Sequence, residues 1–159
     1  MSDDLETVEF KVQLSSSWHN DPPKFEILIN DDIVESGEVS ELESDSNVKT
    51  IAFSRDLPEG DHTLKIRLVN KKPKHTEVDD SGNIISDQLL HLKEIELDEI
   101  ELEWLAYFNG KFYKQIGAKS GKPIYEDEPL PEKFNVIGLN GEWRLGFSVP
   151  TYMWFLENL

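Results

Sequence analysis

Along VEFKVQL, residues 8–14, apolar and polar side chains alternate without a break. Val8, Phe10, Val12 and Leu14 fall on one face, and Glu9, Lys11 and Gln13 on the other. That period of two belongs to a half-buried β-strand. KFEILI, residues 24–29, repeats it with Phe25, Ile27 and Ile29, and VKTIAF adds Ile51 and Phe53. After the turn residues PEGD, HTLKIRLVN sets His62, Leu64, Ile66 and Leu68 against Lys65 and Arg67.

DQLLHLKEIELDEIELEWL, residues 87–105, needs more care, because its Leu, Ile and Glu content also suits an amphipathic helix. Leu90 and Leu92 share one parity, Ile95 and Leu97 the other, and Ile100, Leu102 and Trp104 return to the first. A helix needs apolar steps of three and four, and Glu94, Glu96, Glu99 and Glu101 interrupt every such stripe. A strand accommodates the pattern if it slips by one residue, because each slip exchanges the two faces. The segment therefore predicts a strand with a bulge near Lys93–Glu94 and a tight turn at Asp98–Glu99.

Residues 1–105 read as six to eight short strands, with loops at 15–23, 35–47 and 71–86. Asn109–Gly110 and Asn140–Gly141 are hairpin signals, since both positions of a type I′ turn need positive φ. Of 16 aromatic residues, 12 lie at or after Trp104, so residues 106–159 are expected to form an aromatic hairpin extension packed on the same domain. It ends in a helical turn or tail, TYMWFLENL, with Met153, Trp154 and Leu156 available for burial. The expected fold is all-β, a jelly-roll-like antiparallel sandwich with that extension.

Composition narrows function mainly by exclusion. A formal charge of −16, from 32 acidic and 16 basic residues, opposes binding to phosphate backbones and to anionic membranes. No apolar run reaches about 18 residues, so no membrane span is expected. The absence of cysteine removes disulfides, thiolate metal sites and a Cys nucleophile, and fits a reducing cytoplasm. The acidic start MSDDLETVEF lacks the basic and apolar character of a secretion signal.

Catalytic patterns are equally lacking. His19, His62, His75 and His91 lie on separate segments, no serine occupies a G-x-S-x-G elbow, and no phosphate-cradling loop matches. No cofactor and no enzymatic activity are expected.

Two stretches resemble known families. EGDHTLKIRLVN, residues 59–70, with DQLLHLKEIEL, residues 87–97, resembles the jelly-roll calcium-dependent xylan-binding modules attached to glycoside hydrolases. Those modules carry an Asn-Asp pair and then an Asp-x-x-Leu-x-Val-Asp-x-Ile-x-Val motif. Here Asn70 stands at the Asn, and Asp87, Leu90, Leu92, Ile95 and Leu97 follow the motif. Lys71 and Lys93 replace the other two aspartates. A calcium ion about 4 Å from an ammonium meets a repulsion of about 4 kcal/mol per unit charge at an effective dielectric of about 20. The calcium site implied by the resemblance is therefore expected to be lost, with Lys93 pairing with Asp87 in the ion's place. The order of the whole chain, ending in Trp143, Leu145, Phe147, Pro150, Tyr152, Trp154 and Leu156 to Leu159, resembles small uncharacterised proteins of tailed bacteriophages. That resemblance implies synthesis in a host-cell cytoplasm and possible incorporation in a virion.

Three roles follow as expectations. The first is protein–protein association, as a homo-oligomer or with another protein, anchored by Trp143, Tyr152, Trp154 and Phe155. The second is glycan recognition by Trp18, Asn70, Asp87 and Tyr125. The third is mimicry of nucleic acid by the acidic surface, although the acids are scattered along the chain and form no block.

Overall fold

The computed structural model describes residues 4–18, 20–131 and 135–158, apart from the side chains of Trp104 and Phe108. His19 lies outside the described residues. The strands are β1 (Leu5–Ser17), β2 (Lys24–Ile29), β3 (Asp32–Glu38), β4 (Lys49–Pro58), β5 (Gly60–Leu68), β6 (Glu77–Val78), β7 (Ile84–Ser86), β8 (Leu89–Leu97), β9 (Ile100–Glu101), β10 (Lys111–Lys119), β11 (Lys122–Tyr125), β12 (Val136–Ile137) and β13 (Gly141–Val149). Two α-helices, α1 (Trp104–Asn109) and α2 (Thr151–Asn158), and two short 3-10 turns, Glu43–Asp45 and Pro73–His75, complete the regular structure among the described residues.

Two antiparallel sheets face each other in a jelly-roll β-sandwich, as expected. Sheet one runs β12-β8-β1-β4, with β9 hairpinned onto β8, and sheet two runs β11-β10-β13-β5-β2-β3. The alternating residues meet between them: Val8, Phe10, Val12 and Leu14 from β1, Leu64, Ile66 and Leu68 from β5, and Leu145 and Phe147 from β13 are all buried. Phe10 joins the layers, stacking on Phe53 of its own sheet at 4.8 Å and meeting Phe147 of the other edge-on at 5.8 Å.

The parity switch in β8 is a bulge. Gln13 pairs with Glu94 and Leu14 with Leu92, so Lys93 is the extra residue. Asp98 and Glu99 both have positive φ, at 50° and 70°, and close the β8–β9 hairpin between Leu97 and Ile100.

Both Asn-Gly expectations are corrected. Neither glycine has positive φ, and neither sits in a hairpin. Asn109 ends α1, its side-chain amide donating to the Leu105 carbonyl at 2.9 Å, so a helix stands where the hairpin signal called for a strand. A Cβ on Gly110 would sit 2.3 Å from the Trp143 indole, and one on Gly141 would sit 2.4 Å from the Phe112 ring. These glycines serve close approach, a demand that a local turn rule does not register. The hairpin of this region is β10–β11, turning through Ser120 and Gly121 at φ 53° and 78°.

All three segments read as loops are partly strand, residues 71–86 through the two-stranded hairpin of β6 and β7. β1 continues through Ser17 because the buried Ser15 and Ser16 hydroxyls find acceptors in the Glu43 carboxylate and the Glu41 carbonyl. Residues 35–38 belong to β3, an exposed edge strand whose Ser-Gly composition hides it.

Residues 106–159 supply β13 to the middle of sheet two, between β10 and β5, and β12 to the edge of sheet one. Both sheets depend on them. No helix among the described residues is long and apolar enough to cross a membrane.

Candidate functional site

Three chain segments converge at one end of the sandwich. Residues 69–71 leave β5, residues 87–88 enter β8, and residues 138–140 enter β13. The Lys71 ammonium sits among all three. It lies 2.5 Å from Asp87 Oδ1, and it donates to the Gln88 carbonyl at 2.8 Å and the Gly138 carbonyl at 2.9 Å. An ammonium has three N–H donors, and three acceptors take them. Asn140 holds the lysine backbone at both polar groups, accepting from its N–H at 2.7 Å and donating to its carbonyl at 2.9 Å.

Asp87 is held by more than the lysine. The same Oδ1 accepts from the Thr76 hydroxyl at 2.6 Å and from the Gln88 N–H at 2.9 Å. Partial burial works to raise its pKa. The Lys71 ammonium, the Thr76 hydroxyl and the Gln88 N–H outweigh that and hold it below the usual aspartate value. A carboxyl whose folded pKa is depressed adds stability that is full above the unfolded value near about 3.9 and is lost as pH falls through the folded value. Asp87→Asn is therefore expected to flatten the acid limb of a stability–pH profile below about pH 4, measured by urea denaturation.

The cluster extends inward. Gln88 is fully buried, and its amide donates to the Asp21 carbonyl at 3.1 Å. Its own side-chain oxygen has no partner among the described residues. His75, also buried, accepts the Lys72 N–H on Nδ1 at 2.9 Å, so Nε2 carries the proton it shares with Asp21 at 3.0 Å. His75 and Lys74 together lower the Asp21 pKa.

The candidate residues fare differently. Asn70 is a strut: its Oδ1 accepts the Lys24 N–H at 2.8 Å and its amide donates to the Pro22 carbonyl at 3.1 Å. Lys93 does not replace the ion. As the bulge residue it faces outward on the β1 side and pairs with Glu43 at 2.6 Å, and Lys71 takes Asp87 instead. Trp18 is half-buried, with an indole N–H that is buried and unpartnered among the described residues. Tyr125 opposes Gln115 in the β10–β11 ladder, and the Gln115 N–H donates to the Asn140 carbonyl at 3.0 Å. Tyr125 is thus one strand from the Lys71 cluster. Burial pushes its phenol up to about 12, against the nearby Arg67 guanidinium.

Of the four association candidates, Trp143, Trp154 and Phe155 belong to the core, at 2%, 7% and 4% exposure. They present nothing to a partner in this fold. Tyr152 is exposed, as are Met153 and Leu156, which were expected to be available for burial. The helix turns Trp154 and Phe155 inward, and the three others face solvent.

Calcium does not fit the cluster. It requires six to eight oxygens, generally with several carboxylates. Here one carboxylate and two carbonyls surround an ammonium already bonded to them. Among the described residues no group of three or more His, Cys, Asp or Glu could hold a metal.

Catalytic geometry is also incomplete. Ser17 and His91 lie 3.0 Å apart, but no carboxylate orients the other ring nitrogen among the described residues. A separate cleft of about 640 Å³ lies between the β8 bulge and α1, lined by Glu94, Ile95, Glu103, Tyr107 and Trp143 among others. It shares no lining residue with the Lys71 cluster.

No protein-family model and no curated protein matches the sequence. Among solved structures, the chain is similar to a module described as vCBM60 from work on two families of calcium-dependent carbohydrate-binding modules related by circular permutation. The TM-score is 0.53 at 9% identity, covering 87% of this chain and 90% of that one. A second structure, described as vCBM60 in complex with galactobiose, aligns at a TM-score of 0.49 and 8% identity, over 87% and 97% of the two chains. At such identity the first likeness shows a shared fold.

Proposed function

We propose that this protein is a non-catalytic carbohydrate-binding module that holds its binding loops together without a metal ion. The observation that carries the reading is the Lys71 ammonium inside an oxygen cage of Asp87, Gln88 and Gly138. It ties together three loops at one end of a fold shared with carbohydrate-binding modules. A bound metal can leave a coordination position open to a ligand hydroxyl. The lysine has spent all three donors, so recognition passes to its neighbours. Asp87 Oδ2 offers an acceptor for sugar hydroxyls, and the Tyr125 ring offers an apolar face one strand away.

The test is calorimetric titration with neutral oligosaccharides chosen by a glycan array, in buffer containing EDTA. Binding is expected to survive chelation. Tyr125→Ala is expected to weaken it about tenfold, the scale of losing one aromatic contact of about 1.5 kcal/mol. Absence of binding across the array would overturn the reading, and binding that chelation abolishes would overturn its metal-free part.

A second reading, association through the terminal helix, retains one observation in its favour. Tyr152, Met153 and Leu156 expose 63%, 45% and 73% of their surface on a helix of eight residues. Native mass by light scattering decides it: a single-chain mass at high concentration removes self-association.

A further inference from the structure

The outer face of sheet two, away from the core, carries an ordered row of polar side chains that the loop cluster does not use. Tyr113 of β10 opposes Glu142 of β13, Glu142 opposes Arg67 of β5, and Arg67 opposes Glu26 of β2. In the next row Lys111 opposes Arg144, and Arg144 opposes Lys65. Glu142 is only 1% exposed although it is on this face, because cations cover it. Arg67 Nε donates to it at 2.7 Å and Arg144 Nε at 2.5 Å, with Lys65 at 3.8 Å. Arg67 also reaches Glu26 at 3.1 Å, and Lys65 reaches Asp31 at 3.1 Å.

Arg144 is the member with donors to spare. Only its Nε is engaged by an acceptor, and its terminal nitrogens meet none among the described residues. Solvent reaches 31% of its side chain. Its guanidinium lies 3.8 Å over the Tyr113 ring, with the Tyr125 ring 5.8 Å away. Glu142 therefore pins the inner edge of a planar cation that lies over the Tyr113 ring, with Tyr125 nearby, and leaves the fork of terminal nitrogens unclaimed. Such a fork matches a carboxylate in shape and charge. Aromatic rings beside it suit the C–H face of a sugar.

On the carbohydrate reading above, we propose that Arg144, with Tyr113 and Tyr125, forms a subsite for a carboxylate-bearing sugar, a uronate, within an otherwise neutral glycan. Lys65, Arg67 and Arg144 are matched by Glu26, Asp31 and Glu142, which leaves Lys111 as a surplus of one cation on these rows, and the chain charge of −16 repels a polyanion. One carboxylate among neutral residues needs only the fork. Burial, which pushes the Tyr125 phenol up to about 12, keeps it uncharged beside the carboxylate.

The experiment compares oligosaccharides bearing one glucuronate or galacturonate with the same molecules after reduction of the carboxyl to a hydroxymethyl group. Calorimetry on the wild-type chain is expected to show about tenfold tighter binding of a uronate form, the scale of one charge-assisted hydrogen-bonded contact. Arg144→Gln is expected to bring the two forms within about twofold of each other, by weakening the uronate form more than the neutral one. Arg144→Lys, which keeps a cation over Glu142 and removes the fork, is expected to lose most of the preference and serves if the glutamine variant does not fold. Equal affinities in the wild type, a preference that survives both variants, or a parallel loss of both ligands overturns the subsite and leaves the carbohydrate reading standing. Failure of both forms to bind the wild-type chain overturns both.

Discussion

Lys71→Met lowers the stability of the fold by about 3 kcal/mol, while Lys93→Met costs no more than about 0.5 kcal/mol. The two lysines are equivalent as replacements for motif aspartates, and their surroundings set them apart. Lys71 is 12% exposed and Asp87 21%, so removing the ammonium leaves a carboxylate and two carbonyls without their donor in a place that water reaches poorly. Lys93 and Glu43 are 38% and 36% exposed, and water solvates either one alone. Urea denaturation of the two variants measures the difference. Millimolar calcium is expected to leave both midpoints unchanged, since one carboxylate makes a poor calcium site. Equal midpoints for the two variants would remove the internal cation from the account.

Trp143→Ala has the largest expected cost, about 3–5 kcal/mol, with no change in native mass at temperatures where the variant remains folded. The indole is 2% exposed in the central strand of sheet two, and Gly110 packs against it so closely that no Cβ fits. Deleting it opens a cavity between α1 and the sheet that the surrounding strands cannot fill. Trp143→Phe is expected to cost less than about 1.5 kcal/mol, because it keeps most of the ring volume and removes an indole N–H that has no partner among the described residues. Thermal melting and light scattering together check both. A folded alanine variant with a smaller native mass than the wild type would return Trp143 to an interface.

How much of this was legible beforehand varies with how far apart the interacting residues are. The period of two in β1, β2 and β5 reports which face is buried, and a strand has that period wherever it packs. The parity switch at Lys93 identified a bulge for the same reason, since faces are exchanged locally. The buried serines of β1 gave no such signal, because their hydroxyls are satisfied by Glu41 and Glu43, some 25 residues away. Asn109–Gly110 and Asn140–Gly141 have a strong local meaning that contacts with Trp143 and Phe112 override. For the site, Asn70 and Asp87 were marked by their place in the motif, but their roles were not. One is a strut and the other accepts from a lysine 16 residues earlier in the chain.

By itself, then, the order of apolar and polar residues determined an all-β sandwich, its bulge and its tight turn, because each follows from side chains alternating along one strand. Which lysine takes the place of a metal ion, which aromatics are core, and where two arginines meet a buried glutamate were decided only by the tertiary structure. Those outcomes depend on side chains brought together from separate strands, and a charge gains or loses its worth according to the partners and the water that the fold leaves beside it.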